Sequence, residues 1–470
     1  MRHWVIWNIL FRLHERVKGH ATYRILREME TADRLSKAEI DQLRADKLKD
    51  LIAYSYAHVP YVRMRMQAAG VSPADIREPG DLVKLPVMTK ADAREHRESL
   101  RSELAGKLSS FASGGSTGTP LIFDLAKRRI ASRVACRQRA ARWWGVSAGD
   151  PELAIWGSPL ELNSQNRLRN LRDRMLRTRL LSAYEMNEST MSRYLDIIET
   201  SGCKQIFTYP SSIYLLCQHA RKQRRNLRGL GIKVVFVTSE VLFPYQRSLI
   251  SETFNCPVAN GYGGRDSGFI AHECPQGGMH VMADAIIVEI LDAQGKPVPP
   301  GQSGEIVVTD LYSHESPFIR YVTGDIGVLS SRPCHCGRAL PVFDRIDGRS
   351  NDSIVAPDGR VMHGQALISF LMEVEGIEQF RIIQKKVDCF HVQIVRNENY
   401  RQEGEERIRK GWSQRLRSPL VMTFEYLPSL PAERSGKVRH IVSELPSGQI
   451  VRNMEQGDVG PVDSELNATR

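Results

Sequence analysis

The chain is poor in aromatic residues, at 7% of 470, with six tryptophans. None is interleaved with the arginine-rich runs NRLRNLRDRMLRTRLL (166–181) and RKQRRNLRGL (221–230), which argues against a stacking platform for nucleic acid. Both runs carry leucine at helical spacing and read as amphipathic helices with solvated basic faces. Eight cysteines over this length exclude a disulfide framework. With no secretory signal expected, the chain reads as cytoplasmic. There is no long apolar run. The N-terminal stretch from Trp4 to Phe11 is interrupted by Asn8 and falls far short of the roughly 20 residues that span a bilayer. Packing on the protein's own body suits this stretch at least as well as peripheral contact with a membrane surface. Internal repeats and low-complexity tracts are also missing, which excludes solenoid and fibrous architectures. Acidic residues are the minority charge, 54 against 65 basic ones, and the net charge of +11 favours anionic ligands.

What is present indicates an α/β protein of more than one domain. Residues 35–110 look helical, with a break at HVPY (58–61) and a loop at EPGDLVKLPVMTK (78–90). LAIW (153–156), KQIFTYP (204–210), VVFVTSE (234–240) and PVANGYG (257–263) read as buried strands between helices. That alternation predicts parallel sheets with ligands at the strands' C-terminal ends. A β-rich subdomain is expected near 280–347, closing a large N-terminal domain over 1–347. A small mobile α+β lid would follow over 348–445, with strands FRIIQKK, CFHVQIV and VMTFEYL and a helix near 402–417. The polar tail 446–470 is expected to be disordered.

The segment SGGSTGT (113–119) supplies four hydroxyls and three glycines, suited to wrapping phosphate oxygens. It is no Walker loop, because Pro120 and Leu121 follow where that motif has Lys. A flexible linker is the plain alternative. NGYGGRDSG (260–268) sets an aromatic and a carboxylate in a glycine loop after a strand. YVTGDIG (321–327) puts Asp325 in a turn, and DRIDGRSND (344–352) brings Gly348 and Arg349 to a domain entry. Singly, Tyr262 reads as core, Asp325 as a turn residue and Arg349 as a surface cation.

Together and in this order, SGGSTGTP, TSE (238–240), GYGGRD, YVTGD, DGR and RSGKVRH resemble the adenylate-forming enzymes. AYSYAHVPYVRMRM, DLVKLPVMTKADAREH, IAHEC and CHCGRALP resemble the phenylacetate-CoA ligase branch and its capsular-polysaccharide-associated relatives. The likeness runs from about residue 45 to 442. It implies that Ser113, Gly114, Gly115, Ser116, Thr117, Gly118 and Thr119 embrace the ATP β- and γ-phosphates. Tyr262, beside Gly263, would stack on adenine, and Asp266 would stand where the family's Glu holds Mg²⁺. Asp325 would take the ribose hydroxyls, and Arg349 would contact ribose and phosphate. Lys437 would bridge carboxylate and α-phosphate as the catalytic lysine. Two departures stand out: Asp266 is one methylene shorter than Glu, and Asn351 occupies the hinge position of the usual Arg-x-Asp-Asp. No signature marks the acid, though WGSP (156–159) and TYPSS (208–212) suit pocket walls.

ECPQGGMH and PCHCG bring Cys274, His280, Cys334 and Cys336 into a Cys₃His set suited to a structural zinc ion, which the branch carries at matching positions. His272 and His335 are competing ligands, and free thiols the plain alternative. Cys136, Cys203, Cys217, Cys256 and Cys389 read as packing residues.

The expected activity is ATP- and Mg²⁺-dependent conversion of a carboxylic acid to an acyl-adenylate, with pyrophosphate released and the acyl group passed to a thiol, coenzyme A first. Transfer to an amine, a hydroxyl or a carrier protein in surface-polysaccharide or secondary-metabolite synthesis is the second reading. A non-catalytic basic binder on the same fold is the third. The oligomeric state is left open, with a homodimer as the one form considered.

Overall fold

The structure is a computed structural model that describes residues 9, 11–113, 121–147, 149–157, 177–183, 186–349, 353–358, 361–363, 365–372, 374–430 and 440–445. The loop residues Gly114 to Thr119, Asn351, Lys437 and the 446–470 tail therefore lie outside the described residues. Two compact units divide the chain, one built mostly from residues before Asp347 and one mostly from Asp347 onward.

In the first unit, a short hairpin pairs β1 (Ser109–Ala112) with β2 (Ile122–Leu125). After it come β3 (Glu152–Ile155), β4 (Thr178–Leu181), β5 (Gln205–Thr208), β6 (Val234–Thr238), β7 (Val258–Gly264), β8 (Gly268–Glu273) and β9 (Met279–Val281). The run closes with β10 (Ile286–Leu291), β11 (Ser303–Asp310), β12 (Tyr321–Leu329) and β13 (Val342–Arg349). From β3 to β13 the described strands form one 11-stranded sheet, ordered β10-β11-β12-β13-β9-β8-β7-β6-β5-β3-β4.

The β-rich region is thus continuous with the parallel sheet rather than a sheet of its own. The reason lies in β7, which pairs parallel with β6 through Val235↔Val258 and antiparallel with β8 through Gly261↔His272. The tight glycine turn between β7 and β8 lets the chain double back, where β4 to β7 are joined by crossover helices.

Each half of the sheet has its own core. The helices Glu188–Ser201, Pro210–Lys222 and Pro244–Phe254 pack with the parallel strands through Leu195, Ile213, Leu216, Ile206, Val235 and Phe254. Thr22–Ala32 and Lys127–Trp143 cover the antiparallel half with Ile25, Met29, Ala131 and Ala135 against Ile270, Met282 and Ile306. Cys136 lies in the second of these cores, and Cys203, Cys217 and Cys256 in the first.

The helical reading of 35–110 holds for Lys37–His58 and Pro60–Ala68. The break falls at Val59, because the residue before proline is pushed out of helical conformation. Of the first arginine-rich run only 177–181 are described, and the second is helical only at Arg221 and Lys222. Residues 178–181 are the edge strand β4, and helix Pro210–Lys222 stops before Arg225, which leaves it to pair with Asp196 and Glu199. At the N-terminus, helix Arg12–Lys18 buries Phe11 and Glu15 while Leu13 and Val17 stay exposed. No helix among the described residues is long and apolar enough to cross a membrane.

The second unit carries the small pair β14 (Ser353–Val355) and β15 (Val361–His363). Beside it is a four-stranded sheet of β16 (Ile377–Lys386), β17 (Cys389–Arg396), β18 (Val421–Tyr426) and β19 (Ile441–Ser443), ordered β18-β17-β16-β19. Helices Gln365–Met372 and Glu403–Leu416 join through Trp412, whose fully buried indole donates to Leu367 O at 3.0 Å. The α/β class, with a large sheet and a small α+β unit, is as expected; Cys389 is half-buried at the start of β17.

Candidate active site and metal centre

The described part of the hydroxyl-rich stretch is its neck. Ser113 N–H donates to Leu121 O at 2.9 Å, and Leu121 N–H donates to Ser113 Oγ at 3.0 Å, which ties the two described flanks together. Below it, buried Asp124 accepts from Arg97 (2.8 Å), Arg101 (2.9 Å) and Ser110 (2.6 Å). Burial alone raises this carboxyl, but the bonds from Arg97, Ser110 and Arg101 outweigh it and bring it down to about 2.

The C-terminal ends of β5, β6 and β7 lie side by side, as the registers Thr208↔Val237 and Thr238↔Gly261 require. Trp156 stacks on Tyr209 at 4.2 Å, so residues of both predicted pocket walls meet there. Glu240 accepts from Ser211 N–H and Ser211 Oγ, both at 3.0 Å, at the start of helix Pro210–Lys222, where the helix dipole favours a carboxylate. Ser239 takes a left-handed φ of 72°, a strained conformation for serine held by its neighbours.

At the end of β7, half-buried Tyr262 meets Phe343 edge-on at 5.9 Å. A side chain at Gly263 would strike Gly268 O at 2.2 Å, so only glycine lets β7 and β8 turn this closely. Asp266 occupies the turn. Its Oδ2 accepts from Tyr321 Oη at 2.6 Å and its Oδ1 from Ser267 N–H at 3.0 Å. Its backbone carbonyl accepts from Arg129 at 2.7 Å and Arg133 at 3.0 Å. Arg129 is itself held by Asp310 at 2.7 Å. Sequence reasoning passed over Tyr321, Arg129 and Arg133. The signals were Tyr321 opening the YVTGD motif and the two arginines at i, i+4 on one helix face. Asp325 lies half-buried on β12, and Arg349 ends β13.

At the far end of β8, Cys274, His280, Cys334 and Cys336 converge with their ligand atoms all within 4.8 Å. Cys274 Sγ lies 3.6 Å from Cys334 Sγ, and His280 Nε2 lies 3.1 Å from Cys336 Sγ. A tetrahedral zinc–thiolate site has an S···S edge of about 3.8 Å, so the donor set fits a zinc ion. His280 Nδ1 lies 3.3 Å from Leu340 O; donating there leaves Nε2 free to ligate. Burial pushes this imidazole down to about 4, which keeps it neutral. A Cβ on Gly278 would sit 2.5 Å from Cys334 Sγ, so the cluster requires glycine there. His272 and His335 are outside the group; His272 is buried against Gly261 and stacks on Phe269 at 5.2 Å.

The sheet architecture is that of acyl-coenzyme A ligases. A 2-hydroxyisobutyryl-CoA ligase, solved in its postadenylation state with an acyl-AMP, superposes with a TM-score of 0.72 at 20% identity, over 90% of this chain and 93% of that one. By sequence, the chain is 26% identical to a phenylacetate-coenzyme A ligase of Thermus thermophilus, over 76% of this chain and 80% of the relative. It is 21% identical to protein CapK of Staphylococcus aureus, over 77% and 80%. Residues 354–444 match the CapK C-terminal domain. The chain is thus similar to phenylacetate-coenzyme A ligases and to CapK, as its motifs imply.

Proposed function

We propose that the chain is an ATP- and Mg²⁺-dependent ligase that converts a carboxylic acid to an acyl-adenylate and passes the acyl group to coenzyme A. The observation that carries this reading is the β7–β8 turn. An aromatic ring and a carboxylate, held from both sides, sit at the C-terminal end of the strand where the sheet changes from parallel to antiparallel. That end is where open α/β sheets bind ligands. Tyr262 offers a face for adenine. Asp266 is a single, half-buried carboxylate of the kind that holds Mg²⁺ alongside substrate phosphates. The 113–119 loop is assigned to the leaving pyrophosphate, Asp325 and Arg349 to the ribose and phosphate, and Lys437 to the reacting carboxylate. A carboxylate and an α-phosphate repel, so the cations placed between them set the barrier, with positioning supplying the rest. The division into a domain ending near 347 and a lid over 348–445 belongs to the same reading. Cys274, His280, Cys334 and Cys336 are assigned to structural zinc, with all four positions filled by protein.

AMP formation from a panel of acids, with and without coenzyme A, tests the reading. Turnover dependent on coenzyme A supports it, and turnover without it favours an amine, a hydroxyl or a carrier protein as acceptor. The match of 354–444 to the CapK C-terminal domain keeps that second acceptor class in view.

The exposed Leu13 and Val17, flanked by exposed Arg12, Arg16 and Lys18, support peripheral contact with an anionic membrane surface. Co-sedimentation with anionic rather than neutral vesicles, lost in Leu13→Asp, tests that contact.

A further inference from the structure

We propose that Tyr321 is a positioning residue for the Asp266 carboxylate, acting with an arginine clamp on the same residue's backbone. The inference rests on reading Asp266 as the Mg²⁺ ligand. Tyr321 opens β12 and is fully buried. Its backbone is gripped by the segment VKLPVMTK: Met88 N–H donates to Arg320 O at 2.7 Å, and Val322 N–H donates to Met88 O at 2.9 Å. Its ring lies 4.6 Å from that of Phe318. The phenol is thus fixed on a rigid strand, and its hydroxyl donates to Asp266 Oδ2 at 2.6 Å.

The other carboxylate oxygen takes the Ser267 N–H at 3.0 Å. From the opposite chemical end, Arg129 and Arg133 donate to the Asp266 carbonyl, and Arg133 also donates to Arg265 O at 2.5 Å. Buried Asp310 holds Arg129 in turn. Asp266 is therefore restrained at its carbonyl and at both carboxylate oxygens, while an ionised carboxylate keeps further lone pairs for a cation. Mg²⁺ demands near-octahedral geometry and draws on one or two protein carboxylates, so the orientation of that one carboxylate governs how well the ion is held. The shorter side chain of aspartate makes external orientation matter more here. Outer partners of this kind are worth about 10–100-fold in metal affinity.

The test uses the full-length chain and reads the Mg²⁺ dependence of ATP binding by titration calorimetry, with no acid present. Asp266→Asn should raise the half-saturating Mg²⁺ concentration. Tyr321→Phe, which removes one hydroxyl and keeps the ring, should raise it on the order of tenfold. The double variant should be no worse than Asp266→Asn alone, because Tyr321 acts through Asp266. Arg133→Met, which removes both donors to the Arg265 and Asp266 carbonyls while keeping the length of the stem, should raise it a few-fold and carries the test if Tyr321→Phe fails to fold. A Tyr321→Phe value within twofold of the parent, with Asp266→Asn shifted, overturns the proposal. So does full additivity in the double variant. An unshifted Asp266→Asn overturns the Mg²⁺ reading itself, a result separable from the other two.

Discussion

The two ends of β8 have been put to opposite uses. At its start, the Asp266 turn presents one carboxylate whose partners are a phenol, a backbone N–H and, through the carbonyl, two guanidinium groups. At its end, Cys274 joins three soft ligands whose atoms face one another within 4.8 Å. In the proposed reading the first end offers one hard ligand to a phosphate-bound cation. The second is a soft-ligand site already complete for a tetrahedral ion, with no position left for substrate. The strand between them is short, six residues, and its neighbours pack under one helix, Lys127–Trp143. That helix supplies Arg129 and Arg133 to the turn and Trp143 to the edge of the His280 ring at 5.7 Å. Reactivity and rigidity are therefore held by the same scaffold yet depend on different side chains.

The sharpest way to break this contrast is Asp266→Asn. Pyrophosphate release at limiting Mg²⁺ is expected to fall on the order of a hundredfold with an unchanged melting temperature. A loss of stability instead of rate would erase the distinction. Cys334→Ser should do the reverse: stoichiometric zinc disappears by elemental analysis and stability falls by about 3 kcal/mol, seen as a lower calorimetric midpoint. Gly278→Ala should reproduce that phenotype in milder form by pressing on the Cys334 thiol.

Asp124 sharpens the comparison from outside either end. Its folded carboxyl lies near 2, below the ordinary value, so its contribution is present above about pH 4 and is lost as pH falls toward 2. Asp124→Asn should cost about 2 kcal/mol at pH 7 and about half that at pH 3, measured by denaturant unfolding. The smallest effect belongs to His272, whose ring nitrogens have no hydrogen-bond partner among the described residues and whose pKa is pushed down to about 3 by burial, then by Arg137 and Arg139. Because the unfolded imidazole takes up a proton below about 6.5 and the buried one does not, stability drops as pH falls from there. His272→Phe should flatten that slope between pH 6.5 and 5 and change little at pH 8.

Much of the fold could be read from local pattern. The strands around Leu153, Ile206, Val235 and Val258 were visible because each is a short β-branched run bounded by turn residues. The join between the two halves was not, because it depends on β7 accepting β8 across a turn whose geometry no periodicity encodes. Leucine at helical spacing also fits an edge strand, as at Thr178–Leu181, the described end of the first arginine-rich run, where Arg179 stays exposed. The same limit applies to the site. Asp266 and the four zinc-type ligands were legible in short motifs. Tyr321 lies 55 residues from Asp266 and Arg129 lies 137 away, so only the folded sheet brings them together.

The most direct test of the account is a single-turnover measurement of pyrophosphate release from MgATP and a panel of acids, without coenzyme A, in the parent chain and in Asp266→Asn. The account predicts an acid-dependent burst of pyrophosphate matched by trapped acyl-AMP, and its loss in the variant. Pyrophosphate release that ignores both the acid and Asp266, or none with any acid while ATP binds, would contradict it.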